Sequence, residues 1–205
     1  DITTFSFFPT KNITSGEGGA VVSNNLELLS KARSFKMHGL VREKSKLRNP
    51  SEGDWHQEVH NFGLNYRISD IHAALGLSQL KKINKFKSIR NNIFNFYTTS
   101  LSPIAEIDLP SRTPGSDPFW HLFPIRVPKD TRKKLFDYLR AKGIIVQVNY
   151  IPVYLHPAFE DLGYKKGLCP NAENFYEREI SLPLHTKLNK SNLEYITECL
   201  HKFFK

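Results

Sequence analysis

A run of β-branched and aromatic residues, Ile2 to Phe8, is cut off by Pro9 and followed at once by a glycine-rich turn, Lys11 to Gly19. Such a run reads as a buried strand, and proline ends it by removing a ladder donor. Ala20 to Val22 continues as a second short strand, so the pair predicts a hairpin with a long, specialised loop. A two-stranded hairpin is marginal by itself. A buried strand at this position needs neighbours, and the chain therefore reads as lacking a front portion that would supply them.

Behind the hairpin, Asn25 is a candidate cap for a helix reaching about Phe35, with Leu29, Ala32 and Phe35 on one face. Residues 39 to 64 are polar, carry Pro50, Gly53 and Gly63, and read as a long loop of the functional or mobile kind. Ser69 is placed to cap a long helix whose later turns carry Phe86, Ile89, Ile93, Phe96 and Tyr97 at helical spacing. Residues 102 to 118, rich in proline and serine, read as a linker.

The remainder reads as a small α+β unit. It has a strand over His121 to Val127, a helix capped by Asp130 and stopped by Gly143, and a strand over Ile144 to Tyr150. A last helix follows a capping box of Ser191 and Glu194. The expected division is thus 1–101, a linker at 102–118, and a C-terminal domain at 119–205, in an α/β chain.

Hydrophobic residues make up 40% of the 205, enough for a packed core. No apolar run is long enough to span a bilayer, and the opening residues, from Asp1, show no basic n-region, so no signal peptide is read there. Cys169 and Cys199 form neither a disulfide framework nor a zinc knuckle, which points to a reducing cytoplasm. The formal charge of +9 is scattered over a loop (Arg42, Lys44, Lys46, Arg48) and helix faces (Lys81, Lys82, Lys85, Lys87) rather than gathered in a nucleic-acid stripe. It reads as solvated surface, or as attraction to an anionic small molecule such as a nucleotide diphosphate.

Lys11 is the sharpest chemical candidate. A lysine between a hydrophobic strand and a glycine-rich turn can be partly desolvated, which favours the neutral amine that Schiff-base chemistry needs. Ser6, five residues earlier, can donate its hydroxyl to an anion. The bland alternative is a surface lysine after a turn. His56 and His60 have the spacing of a metal pair with Glu58 between them, but no third ligand is evident, so no metal site is read there. His72 reads as a packing or capping residue. Phe94, Phe96 and Tyr97 read as core, and Trp120 and His121 as the start of a core strand with a minor role near a nucleotide left open.

Four blocks carry a resemblance. They are Phe5-Ser6-Phe7-Phe8-Pro9-Thr10-Lys11-Asn12 with Gly16-Glu17-Gly18-Gly19-Ala20; Gly63-Leu64-Asn65-Tyr66-Arg67-Ile68-Ser69-Asp70-Ile71 with Ala73-Ala74-Leu75-Gly76; Gln147-Val148-Asn149-Tyr150-Ile151-Pro152; and Asn171-Ala172-Glu173 with Ser181-Leu182-Pro183-Leu184. In this order, over nearly the whole chain, they resemble the DegT-type sugar aminotransferases, which use pyridoxal 5'-phosphate (PLP) on the fold-type I scaffold. The run from Gly143 to Tyr154 looks most like members that make the amino-sugar precursor of pseudaminic acid.

The resemblance implies a fold: the tail of a large PLP domain followed by a small α+β domain. It also implies roles. Lys11 would bond to the cofactor and carry the proton between the amino acid Cα and the cofactor C4′. Ser6 would hydrogen-bond the phosphate, and Asn65 would reach the phosphate of the neighbouring subunit's cofactor in a homodimer with shared sites. Tyr66, His38 and Tyr150 would line the substrate cleft. The implied reaction moves an amino group from an amino acid, glutamate by family habit, to a keto sugar nucleotide.

The family's ring-stacking residue and pyridine-nitrogen acid are not among these residues, so the chain alone is expected to be a poor catalyst or none. Two other readings stay open: a non-catalytic dimerising or sensing relative, and an inactive fragment. A dehydratase of the same fold would carry histidine where Lys11 stands.

Overall fold

The structure, a computed structural model, describes all residues from 1 to 205. The chain divides into two compact units, Asp1–Ile83 and Asn84–Lys205.

In the first unit, β1 (Thr3–Ser6) pairs antiparallel with β2 (Gly19–Val22), Phe5 opposite Ala20. The predicted hairpin is present, but β1 is solvent-exposed along its length rather than buried. The loop closes through Phe7 N–H to Gly18 O and Ser15 N–H to Phe7 O, both 2.9 Å. Helix α1 (Leu26–Phe35) starts where the sequence places it, because the Asn25 side chain accepts from the Glu27 and Leu28 amides. The polar stretch after it is not wholly irregular: β3 (Leu40–Val41) pairs antiparallel with β4 (Glu58–Val59).

Ser69 caps α2 (Asp70–Leu80) by accepting from His72 N–H. The single long helix expected beyond Ser69 is two. α2 closes at a Lys81 cap, and α3 (Ile83–Leu101) begins afresh. The division between units falls at this break, ahead of the boundary expected after residue 101, because the apolar face of α3 belongs to the second core.

That second unit holds β5 (Phe123–Arg126) antiparallel to β6 (Glu179–Leu182), with Ile125 opposite Ile180. Against them pack α4 (Lys129–Ala141) and α6 (Pro170–Arg178), with α5 (Pro157–Glu160) in the intervening loop and α7 (Lys190–Phe203) closing the chain. Tyr97, Leu101, Phe123, Ile125, Leu135, Leu139, Ile180 and Leu200 are fully buried. Each such side chain contributes about 1.5–3 kcal/mol by leaving water.

Several expected boundaries shift for identifiable reasons. β5 starts at Phe123 rather than His121, because the Arg90 guanidinium takes the carbonyls of Trp120 and His121 at 3.2 Å each. α4 has Pro128 at its cap, whose φ of −54° suits a helix start, and Asp130 sits in the first turn instead. Gly143, with φ of +74°, ends that helix as expected.

Ile144 to Tyr150 alternates in burial, Ile144 and Val146 in and Ile145 and Gln147 out, yet pairs with β6 only as a bridge from Gln147 to Ser181. α7 is capped by Asn189 with Asn192, not by Ser191 with Glu194. Asn189 precedes Ser191, and the Asn192 amide reaches back as a glutamate would.

Candidate functional site

The candidate residues fall into two groups in the first unit and one residue in the second. Ser6 ends β1, and its Oγ accepts weakly from Phe8 N–H at 3.4 Å. Pro9 and Thr10 then turn the chain so that Lys11 N–H bonds Phe8 O at 2.9 Å. The Lys11 side chain is half-buried. The unit's lysine ion pairs join Lys31 to Glu27, Lys44 to Asp54 and Lys46 to Glu43, and Lys11 belongs to none of them.

Two glycines make the loop beyond Lys11 compact. Gly16 and Gly18 take φ of +79° and +148°, where side chains are rarely tolerated. A Cβ on Gly16 would stand 3.3 Å from His72, and one on Gly18 would stand 2.5 Å from Ser15 Oγ and 3.0 Å from Ile68. The loop thus packs on the Ile68–His72 segment. Fully buried Ser15 holds its floor by donating to Glu17 O at 2.8 Å. Beneath the loop lies an apolar cavity of about 250 Å³ lined by Phe7, Ile13, Ile68, Leu77 and Leu80 among others. None of the candidate site residues lines it.

The second group assembles at the C-terminal end of α1. Met37 and Asn65 form a β-bridge, His38 N–H bonds Leu64 O at 3.1 Å, and Tyr66 N–H bonds Lys36 O at 3.0 Å. His38, Asn65 and Tyr66 therefore sit on one paired ladder. His38 is the only residue besides glycine with a positive φ, 64°, a conformation that costs about 1–3 kcal/mol in a non-glycine residue and clusters at functional sites. Arg67 Nη1 lies 3.4 Å from His38 Nε2. Arg67 stood in the second sequence block without a role, and its neighbour Tyr66 was the only signal for it. Tyr66 is exposed, its ring edge-on to Phe35 at 6.2 Å between centroids.

Tyr150, the remaining candidate, belongs to the second unit, where the residue is 71% exposed. Asn149, just before it, donates its N–H to Glu179 at 2.7 Å and its Nδ2 to Ser181 Oγ at 3.0 Å. Glu179 is fully buried, and burial pushes its carboxyl up from the ordinary range, Ser181 and Asn149 pulling against it.

The histidine pair also resolves. His60 and His56 turn their Nε2 atoms to Glu58, at 2.6 and 3.3 Å, while the Arg48 and Asn49 amides donate to the same carboxylate at 2.8 and 2.7 Å. The Arg48 N–H first, then His60, Asn49 and His56, hold this carboxyl at about 2. Glu58 is thus the knot of the 42–60 loop, a role its spacing to two histidines did not reveal. His72 is half-buried, its Nδ1 3.1 Å from Ser69 Oγ, in agreement with a capping and packing role.

No helix is long and apolar enough to cross a membrane. The family model described as the DegT/DnrJ/EryC1/StrS aminotransferase family matches residues 1–201. A UDP-4-amino-4,6-dideoxy-N-acetyl-beta-L-altrosamine transaminase of Campylobacter jejuni is 36% identical over 98% of this chain and 51% of its own. The spore coat polysaccharide biosynthesis protein SpsC of Bacillus subtilis is 33% identical over 100% of this chain and 54% of its own. Among solved structures, Helicobacter pylori PseC, an aminotransferase of pseudaminic acid biosynthesis, superposes with a TM-score of 0.88 at 32% identity, over 99% of this chain and 53% of that one. The chain spans about half the length of the curated relatives it matches.

Proposed function

Because the chain belongs to the DegT/DnrJ/EryC1/StrS aminotransferase family, we propose that the protein transfers an amino group from an amino acid, glutamate by preference, to a keto sugar nucleotide, using PLP. The observation that carries this reading is Lys11: a half-buried lysine outside every ion pair, at the mouth of a glycine-shaped loop, with a serine hydroxyl at the end of the strand before it. Those residues fit the group. PLP supplies an electron sink for the bonds at the amino acid's Cα.

Lys11 Nζ would hold the cofactor and would take and return the proton at the amino acid's Cα. No carboxylate partner ties the amine down, which leaves it available to the cofactor. Ser6 Oγ donates to the phosphate. Asn65 donates to the phosphate of a second subunit's cofactor, which makes the assembly a homodimer with shared sites. His38 and Tyr66, on one ladder with Arg67 beside them, meet the sugar nucleotide; Tyr150, in the second unit, is read as a substrate contact in its own right. The two free cysteines, Cys169 exposed and Cys199 buried, suit a cytoplasmic home.

The test is an assay of the protein as its gene encodes it, against keto sugar nucleotides with glutamate as donor. The expected result is an amino sugar nucleotide with 2-oxoglutarate in equal amount. Cofactor bound but no transfer to any sugar of the panel would favour the sensing relative instead.

A further inference from the structure

Ionised or neutral, a carboxyl group buried among apolar side chains is costly unless its bonds are made. Glu179 is such a group, fully buried on β6 between Arg178 and Ile180. Its backbone is already used, paired with Arg126 of β5. Its carboxylate receives two donors: Asn149 N–H at 2.7 Å and Ser181 Oγ at 2.5 Å. Ser181 Oγ in turn accepts from Asn149 Nδ2 at 3.0 Å. Both arms of this buried triangle converge on Asn149.

The position of that residue gives the triangle its meaning. Two residues earlier, Gln147 and Ser181 exchange backbone bonds, N–H to O at 3.3 and 2.8 Å, as strands do. Continued in antiparallel register, the ladder would bring Asn149 opposite Glu179. There the Glu179 side chain takes the Asn149 amide instead. The segment is held to the sheet at one more residue and released from the ladder at the next, which is Tyr150, 71% exposed. Arg132 of α4 stands near enough to favour the carboxylate form of Glu179, although its own Nη1 is bound to Tyr176 O at 2.5 Å.

We propose that Glu179 is a positioning residue for Tyr150: with Ser181 it fixes Asn149, and so sets where the tyrosine ring is presented to the sugar nucleotide. This rests on the functional reading above for the role of Tyr150. Glu179 touches no substrate; it acts through Asn149.

Two measurements test it separately. In the 205-residue chain, amide hydrogen exchange at Asn149 reads the clamp without any activity. Glu179→Ala should speed that exchange at least about tenfold, and Glu179→Gln, which keeps an acceptor oxygen, should restore most of the protection. In the protein as its gene encodes it, Glu179→Ala should raise the KM for the sugar nucleotide about tenfold while leaving the half-reaction with the amino donor unchanged, again with rescue by glutamine. If Glu179→Ala does not fold, Ser181→Ala, which removes one side of the triangle, should move both quantities in the same direction.

Unchanged exchange at Asn149, or equal loss in both half-reactions, overturns the proposal. So does an unmoved KM for the sugar. A wild-type protein with no transamination overturns the functional reading instead, and the exchange measurement still decides whether Glu179 holds Asn149.

Discussion

The two compact units divide the labour of the chain unequally. Every buried hydrophobic residue, from Ile93 to Leu200, lies in the second unit. The first unit carries Ser6, Lys11, His38, Asn65 and Tyr66, yet its buried positions are Ser15 and Gly39, and it leaves Ile2, Phe5, Val22, Leu26, Trp55 and Phe62 exposed. The second unit is organised as a core with short loops of chemistry on it. The first is organised by hydrogen bonds: a glycine-shaped hairpin loop, a ladder at the end of α1, and a carboxylate knot at Glu58. Apolar burial stabilises without direction, whereas such bonds set geometry and contribute little net stability each.

Truncation of a core residue sharpens the contrast most. Leu139→Ala, in the second unit, should cost about 2–5 kcal/mol in denaturant unfolding. Leu26→Ala, at a residue 79% exposed in the first unit, should stay within about 0.5 kcal/mol. Comparable losses at the two sites would erase the distinction.

A smaller effect is expected at Asn65. Asn65→Ala should weaken cofactor retention by about 1.5–3 kcal/mol, the worth of a charge-assisted hydrogen bond. Mixed with Lys11→Ala under demonstrated subunit exchange, it should recover tight binding at one site per dimer. No recovery would place Asn65 at its own subunit's cofactor.

The smallest effect is the pH response of the first unit. The Glu58 carboxyl is held at about 2, below its ordinary 4.5. A depressed folded value means that its stabilisation is complete above about 4.5 and is lost as pH falls from there toward 2. Exchange at the Arg48 and Asn49 amides should therefore accelerate over that window in the wild type and be pH-insensitive in Glu58→Gln, apart from intrinsic exchange. The same acceleration in Glu58→Gln would remove Glu58 from the account.

What the sequence made legible follows the same division. Some local signals held: the hairpin, the caps at Asn25 and Ser69, and the stop at Gly143 depend on a few adjacent residues, whereas the caps expected at Asp130 and at Ser191 with Glu194 went to Pro128 and to Asn189 with Asn192. Two further positions that misled depend on side chains distant in sequence. Nothing around residue 121 announces that Arg90 will claim its carbonyl, and nothing around residue 149 announces Glu179. The helix break at Lys81–Lys82 has neither proline nor glycine to mark it, and the apolar spacing runs on through it. Apart from Lys11 and Ser6, the candidate site residues were named by resemblance rather than by physics. The structure joins His38, Asn65 and Tyr66 on one ladder, a proximity hidden by the long loop between them.

The account turns on Lys11, and one measurement addresses it directly. The protein as its gene encodes it is loaded with PLP, reduced with borohydride, digested and mapped by mass spectrometry. The account predicts a pyridoxyl group on Lys11, in the peptide that carries Asn12 and Ile13, and its absence after incubation with an amino donor before reduction. A pyridoxyl label on another lysine with none on Lys11 would contradict it.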